Sequence, residues 1–268
     1  MKNLLYLLVA FSLITACNQQ KKGEQKSGAS TEKTTSYADD QYRRFTYFFQ
    51  TEEQRIKDFF QSTEWKQVRE KINSKEILDL KVYNKDSDYF LVIDAVPELN
   101  SYSLFDLLAK EPVFSALVEI LESNEHQFPA HDKALERIYK LEQRVAYSPV
   151  DGQLKTKAGN YKRFVWTLLL EEDPELMAEY RKVHGIGMAW PEITNNMKTI
   201  GVKDMEIYLY ESQAILIMDT KPDFDLEEVG PKWQQLPREQ EWQEYVGKFQ
   251  RTDPESSIQE KWKTMNLY

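Results

Sequence analysis

The apolar stretch Tyr89-Phe90-Leu91-Val92-Ile93-Asp94 has a counterpart later in the chain, Ala214-Ile215-Leu216-Ile217-Met218-Asp219. At the same spacing, Trp65 recurs as Trp190. Other matched pairs follow the same order: Pro97 with Pro222, Val82-Tyr83 with Ile207-Tyr208, and Tyr42-Arg43-Arg44-Phe45 with Tyr161-Lys162-Arg163-Phe164. Ordered self-similarity over this length indicates an internal repeat. The sequence therefore predicts an old duplication, or a fusion of two related halves.

Each half has the same predicted order of elements, βαββαβ. Turn residues, Asn84-Lys85-Asp86-Ser87 and Glu211-Ser212-Gln213, separate the two central strands of each half. The predicted elements of the first half are strand 45–49, helix 54–72, strands 80–83 and 89–93, helix 103–122 and strand 135–141. Those of the second half are strand 164–170, helix 175–197, strands 205–210 and 214–218, helix 240–250 and strand 258–265.

This order predicts the α+β class, with tandem ferredoxin-like repeats whose helices cover one face of an antiparallel sheet. The other face of each sheet would remain bare and apolar in a single copy. Two copies in one chain can cover these faces against each other, which is a physical reason for the duplication.

We divide the chain into five predicted segments. Residues 1–16 form a lipoprotein signal peptide and residues 17–40 a flexible, polar tether. Residues 41–145 form the first repeat and residues 161–268 the second. Between them, the Pro- and Gly-containing stretch 146–160 is predicted to be an exposed linker.

The composition excludes several classes of function. The 268 residues carry 35 basic and 44 acidic side chains, a net charge of −9, which does not suit nucleic acid as a partner. The single cysteine allows neither an internal disulfide nor a CxxC site. His126 and His131 lie beside Glu125 and Asp132, but Pro129 breaks helical spacing between them, so we expect no metal site.

The N-terminus predicts where the protein resides. Lys2 precedes a short apolar run that ends in Ile14-Thr15-Ala16-Cys17. The run is too short to span a bilayer and is typical of a secretory signal. Its last four residues resemble the lipobox of bacterial lipoproteins, which implies lipidation of Cys17. We expect a lipid anchor in the cell envelope, and Asn18 favours the outer membrane; a plain signal peptide is the alternative.

The second half contains a run that resembles the L-rhamnose mutarotase family. The run is Tyr180-Arg181-Lys182-Val183-His184-Gly185-Ile186-Gly187-Met188-Ala189-Trp190-Pro191-Glu192-Ile193, and Gly201, Ile207-Tyr208-Leu209 and Ser256-Ser257-Ile258-Gln259-Glu260 extend it. The resemblance covers about residues 161–268. It implies an α/β-barrel of the dimeric type, here as a pseudo-dimer within one chain. It also implies interconversion of the α and β anomers of a free monosaccharide, L-rhamnose or a related sugar, with neither cofactor nor metal.

The resemblance implies roles for individual residues. His184 matches the family's proton donor, while Tyr180 and Trp242 match substrate-binding positions. Two further substrate-binding positions depart from the family's residues and are Gln243 and Met205 here. An imidazole suits the reaction because its unperturbed pKa near 6.5 lets it give or accept a proton.

The first half shares the plan but lacks the motif. Phe60 stands where the second half has Tyr180, Phe114 stands for Trp242, and the stretch that would hold a histidine is missing. We therefore predict one working site and one degenerate half.

Other functions and roles stay open at this point. A non-catalytic envelope lipoprotein that binds a sugar or a partner in its cavity is the main alternative, and a cofactor-free monooxygenase or isomerase is another. Trp190 and Tyr208 recur in the half without the histidine, so each is as well explained by a core role. Glu192 either orients His184 or is a solvated first-turn carboxylate, and Asp204 is a weak site candidate.

Overall fold

The computed structural model describes residues 37–72, 75–110, 112, 114–115, 133–252 and 261–268, and residues 37–268 form one compact unit. Predictions for the signal peptide, Cys17 and most of the tether fall outside the described residues, as do those for His126 and His131. Within the described ranges, no helix is long and apolar enough to cross a bilayer.

The elements of the two halves follow the predicted order. The first part of the chain forms β1 (Gln41–Gln50), α1 (Gln54–Gln61), α2 (Thr63–Ile72), β2 (Ile77–Lys85), β3 (Asp88–Ala95), α3 (Ser101–Leu108), β4 (Glu136–Lys140) and β5 (Gln153–Thr156). The second part forms β6 (Lys162–Leu169), α4 (Pro174–His184), α5 (Pro191–Ile200), β7 (Val202–Tyr210), β8 (Gln213–Thr220), α6 (Leu226–Trp233), α7 (Glu239–Gly247), β9 (Lys263–Thr264) and β10 (Asn266–Leu267). The predicted α+β class with two ferredoxin-like halves is confirmed.

Two antiparallel sheets carry the fold. One has the strand order β10-β2-β3-β1-β5 and the other β4-β7-β8-β6-β9. The repeated apolar stretches 89–94 and 214–219 form the central strands β3 and β8. Their buried residues explain the continuous apolar runs, because both faces of these strands are covered.

The last strand of each half lies in the sheet of the other half. β4 comes from the first half but pairs with β7, and β10 comes from the second half but pairs with β2. Each final segment first touches its own sheet, through Leu135 N to Thr46 O (2.8 Å) and Met265 N to Val165 O (2.9 Å), and then crosses. The prediction placed these strands in their own halves and was wrong on this point. Their short, half-polar sequences do not specify a partner strand.

The first predicted helix of each half, 54–72 and 175–197, is broken in two. Ser62 is extended and its hydroxyl accepts a hydrogen bond from Trp65 N (3.0 Å), which starts α2 afresh. In the second half α4 ends at Gly185, and Pro191 begins α5. The residues between them form a loop, 185–190, that the helical prediction for 175–197 did not anticipate.

The stretch 146–160 is more than the exposed linker that we predicted. Its strand β5 extends the first sheet by pairing with β1, and Gln153 and Lys155 are buried. Gly152, just before β5, has φ +68, and a Cβ there would lie 2.6 Å from the Phe45 ring, so only glycine fits.

Apolar side chains form three layers of core. One layer lies between the first sheet and its helices and another between the second sheet and its helices. The third contains residues of both sheets, including Phe48 and Phe90 from the first and Tyr208 and Ile217 from the second. The bare faces of the sheets thus cover each other, as the duplication predicted.

A buried charge cluster lies beside this third layer. Arg44 on β1 binds Asp94 through two bonds of 2.7 Å and reaches Glu206 on β7 at 2.7 Å. Glu206 also accepts from Arg137 at 2.7 Å and Lys155 at 2.5 Å. Burial by itself raises the pKa of Glu206, but the three cations hold that pKa well below its usual range.

We predict that Glu206→Gln destabilises the protein by about 3–5 kcal/mol, because it removes the carboxylate that three buried cations share and leaves Arg137 without an ion-pair partner in the described structure. Chemical denaturation followed by circular dichroism measures this change. The matched control is Glu228→Gln, which breaks an exposed helical pair with Lys232 and should change stability by less than about 1 kcal/mol. Equal effects of the two variants would show that the buried cluster does not hold the sheets.

Candidate active site

His184 is the last residue of α4, and the helix sequence fixes its position. Asp173 caps the helix by accepting bonds from the backbone of Glu175 (2.8 Å) and Leu176 (3.0 Å), and Pro174 occupies the first turn. The Nδ1 atom of His184 lies 2.8 Å from the carbonyl oxygen of Tyr180, one turn earlier. A carbonyl only accepts, so Nδ1 carries the proton and Nε2 is left with its lone pair.

Aromatic rings surround the imidazole. The centroid of the Tyr180 ring lies 4.3 Å from it, and those of Trp242 and Tyr139 each lie 5.9 Å away. Trp242 in turn packs on Trp190 at 5.3 Å. This environment is typical of a site that takes a ligand with an apolar ring face.

The aromatic environment sets the charge state of the histidine. Burial lowers the pKa of His184 to about 4, against a smaller opposing effect of the bond to the Tyr180 carbonyl. Burial also raises the pKa values of Tyr180 and Tyr139, so both hydroxyls keep their protons. At neutral pH the site therefore presents an uncharged imidazole base and phenolic O–H groups.

A cavity of about 140 Å³ opens at His184. Tyr139, on the exchanged strand β4, forms one wall, and Thr194 on α5 lies in another. The Tyr139 hydroxyl is buried, and its neighbour is the Thr194 side chain, whose hydrogen bond opposes the rise in pKa that burial causes. The cavity is thus built by both halves, and the ring of a buried phenol lies 5.9 Å from the imidazole ring.

The loop between α4 and α5 forms the outer rim of the cavity. Gly187 has φ +73, a conformation that favours glycine. Ile186 and Met188 on either side are 47% and 48% exposed. The rim thus offers apolar surface to whatever enters the cavity.

The structure brings some of the sequence-predicted site residues together and separates others. The Tyr180 and Trp242 rings pack against His184, but neither residue lines the cavity. Met205 is buried in the core between the second sheet and its helices. Gln243 bonds to Glu239 and does not line the cavity at His184. Their assignment as substrate-binding residues stays a prediction.

Glu239 is the centre of a polar cluster on the same side of the second half. Its carboxylate accepts bonds from Trp233 Nε1 (2.9 Å) and Asn196 Nδ2 (3.0 Å), and burial raises its pKa. Since both bonds join α7 to neighbouring helices, the cluster holds Trp242 on α7 in place.

Three weaker candidates have other partners. Glu192 pairs with Arg238 at 3.4 Å on the surface and does not reach His184. Tyr208 donates to Glu206 at 3.0 Å within the buried charge cluster. Asp204 binds Lys155 at 2.6 Å. These contacts connect structural elements.

Tyr139 is the site residue that the sequence analysis missed. It belongs to the half without the motif, so no search of the second half finds it. The feature of the sequence that could have identified Tyr139 is its repeat counterpart, Tyr268. Tyr268 N bonds to Val82 O, and Tyr139 pairs with Ile207, the repeat counterpart of Val82.

No group of three or more His, Cys, Asp or Glu side chains is arranged to hold a metal ion in the ranges that the structure covers.

Comparisons with known proteins agree with the sequence motif. The sequence profile of the L-rhamnose mutarotase family matches residues 163–268. A UPF0734 protein of Dictyostelium discoideum is 33% identical over 112 residues, which cover 40% of this chain and 88% of that protein. An L-fucose mutarotase of Xanthomonas campestris pv. campestris is 28% identical over 102 residues, covering 38% of this chain and 82% of the relative.

A solved structure described as an anthrone oxidase-like protein aligns with 86% of this chain and 92% of its own, at 11% identity and a TM-score of 0.44. The profile match falls on the half that contains His184. Through residues 163–268, the chain belongs to the L-rhamnose mutarotase family.

Proposed function

We propose that the protein interconverts the α and β anomers of a free monosaccharide, L-rhamnose or a related sugar, with His184 as the acid/base. The observation that carries this proposal is the imidazole of His184 at the cavity, with Nδ1 bonded to the Tyr180 carbonyl and Nε2 without a hydrogen-bond partner among the described residues; burial lowers its pKa, which favours the neutral form. The family of residues 163–268 and the L-fucose mutarotase relative support the same reaction.

The proposed reaction moves one proton between two oxygens of the anomeric carbon. Nε2 of His184 takes the proton of the anomeric hydroxyl while the bond from the anomeric carbon to the ring oxygen breaks. The imidazolium then gives that proton to the ring oxygen, which leaves an open-chain aldehyde and a neutral histidine. Rotation of the aldehyde and the reverse steps form the other anomer. A base that is neutral at working pH is suited to the first step.

Tyr139 has a proposed role as hydrogen-bond donor to the oxygen that gains negative charge. Burial raises the pKa of its hydroxyl, so the group is protonated, and it stands beside Thr194 in the cavity wall. A donor that is already in place costs no reorganisation when charge develops. The first half would then contribute a catalytic residue to the site of the second.

The size of the cavity limits how a sugar binds. Its volume of about 140 Å³ is below the ~300 Å³ of typical ligand pockets. A bound sugar would insert its anomeric end and leave the rest against the rim at Ile186 and Met188. An apolar rim suits a 6-deoxy sugar, in which a methyl group replaces the hydroxymethyl group. Met205 and Gln243 differ from the family's residues at two predicted substrate-binding positions, so the preferred sugar is to be determined by testing several sugars.

We predict that His184→Ala lowers the rate of anomer exchange by about 100-fold or more, the usual contribution of a general acid/base. Saturation-transfer NMR of the anomeric protons of L-rhamnose and L-fucose measures the rate. Lys182→Ala, an exposed change on the same helix turn, is the control and should retain the full rate. Sugar line broadening without exchange in the wild-type protein would favour the non-catalytic binding protein instead.

The pH dependence of the wild-type rate tests the same residue. Because the pKa of His184 lies at about 4, the base stays neutral as the pH falls through the ordinary histidine range near 6.5. The enzymatic rate should hold through that range and fall only as the pH approaches about 4, with circular dichroism confirming that the chain is folded. A fall centred near 6.5 would contradict the proposed environment.

We predict that Tyr139→Phe lowers kcat by about 10- to 100-fold, with a smaller change in KM, because a hydrogen bond to a charged transition state is worth about 1.5–3 kcal/mol. The matched control is Tyr47→Phe, which removes another buried hydroxyl of the first half, one that bonds to Ser101 at 3.0 Å. Equal rates for Tyr139→Phe and wild type would exclude the hydroxyl from the reaction.

The proposed location rests on the N-terminal sequence. Lipidation of Cys17 would place the site at the cell envelope, and the two halves would act there as a pseudo-dimer in one chain. Cys17→Ser should remove the lipid mass and shift the protein out of the detergent phase in phase partitioning. Unchanged mass and partitioning would refute the anchor.

A further inference from the structure

A second cavity, of about 580 Å³, opens in the first half. Its walls are α1, the start of α2, the turn between β2 and β3, and the exchanged strand β10 followed by Tyr268. It is larger than the cavity at His184 and falls within the usual size range of small-molecule sites, ~300–1,000 Å³.

This cavity has two residues equivalent to those of the candidate active site. Phe60 on α1 is the repeat counterpart of Tyr180, and Tyr268 is the counterpart of Tyr139 on the exchanged strand. The Phe60 and Tyr268 rings pack at 5.7 Å with an angle of 31°. There is no histidine among the lining residues. The first-half cavity thus keeps an aromatic wall and lacks the acid/base.

The charge of the cavity differs from that of the whole chain. Three lysines and one aspartate line it, a net charge of +2, whereas the protein carries −9. Lys85 pairs with Asp86. Lys57 and Lys66 have no carboxylate partner within the described ranges, and they stand on successive helices at the same opening. Unpaired cations at a concave site attract an anion.

Neutral hydrogen-bonding groups stand between the lysines and the aromatic wall. Gln61 bonds to the Tyr268 hydroxyl, and the same hydroxyl donates to Asn84 Oδ1 at 3.4 Å. Tyr268 also stacks on Tyr89 at 6.2 Å, with the rings 8° from parallel, which fixes its orientation. The Asn84 amide is committed, because its Nδ2 donates to the carbonyls of Asp86 and Asp88. A ligand here meets the Tyr268 ring, the Gln61 side chain and two ammonium groups with no carboxylate partner among the described residues.

We propose that the first-half cavity binds a small saccharide that carries a negative charge, with Lys57 and Lys66 holding the anionic group and the Tyr268 side supporting the sugar ring. That the ligand is a saccharide rests on the proposed function of the second half, because Tyr268 is the counterpart of Tyr139 in the wall of the cavity at His184. The anionic part rests on the lysines alone. The cavity is a binding site and has no group placed for anomer exchange.

Isothermal titration of the full chain tests this proposal with D-glucuronate and D-glucose 6-sulfate as probes, which separate carboxylated from sulfated sugars. We expect saturable binding of at least one of them, with D-glucose binding at least 10-fold more weakly. Lys57→Ala/Lys66→Ala should weaken binding at least 10-fold. The matched control, Lys75→Ala/Lys110→Ala, removes two exposed lysines of the same half that do not line the cavity and should leave binding unchanged.

Three results would overturn the proposal. One is the failure of lysine-dependent binding, seen either as no binding of the anionic sugars or as equal binding by both double variants. Another is that acetate or inorganic phosphate binds as tightly as the anionic sugars, which would leave the ring unrecognised. The third is displacement of the anionic sugar by L-rhamnose, which would place it at His184. Retained binding in His184→Ala, with anomer exchange measured on the same samples, separates failure of this proposal from failure of the proposed function.

Discussion

The carboxylate of Glu206 is the interaction on which the rest of the structure depends. A buried charge is tolerated only when its counter-charges are in place, and here they come from three different strands. Arg44 lies on β1, Arg137 on β4 and Lys155 on β5, all supplied by the part of the chain before the second repeat. One residue of the second sheet therefore fixes the first sheet, the exchanged strand and the connecting strand at once. Tyr139 lies two residues after Arg137, so the same contact positions a wall of the candidate active site.

The cluster also shows how the two halves have diverged. Arg44 with Asp94 and Arg163 with Asp219 are equivalent pairs, each joined by two bonds of 2.6–2.7 Å. Glu206, in contrast, corresponds to Lys81 in the first half. The symmetric pairs brace each sheet separately, and the unmatched glutamate joins the two sheets. The two cavities differ in a similar way. The second-half cavity contains His184 beside aromatic rings, and the first-half cavity contains Lys57 and Lys66, which have no carboxylate partner among the described residues.

Repetition and local chemistry in the sequence were enough to predict the class of fold, both halves and the central strands, because a buried strand and an apolar helix face leave periodic patterns. They were not enough to predict the exchange of β4 and β10. A strand of two to five residues has too few side chains to specify its partner, and the choice is made by distant contacts such as Arg137 with Glu206. In the candidate site, the motif singled out His184, Tyr180 and Trp242, whose rings lie together in the structure. It could not locate Tyr139, which reaches the cavity only because of that exchange.

The exchange of strands has a consequence for biosynthesis. The edge of the first sheet is completed by residues 266–267, which the ribosome adds after the whole second half. Domains of a multidomain chain usually fold in the order of their synthesis. Here the first half must wait with β2 as an open edge, a strand surface that invites wrong pairing. The two halves therefore complete their sheets together, and neither sheet is whole until both halves have been synthesised.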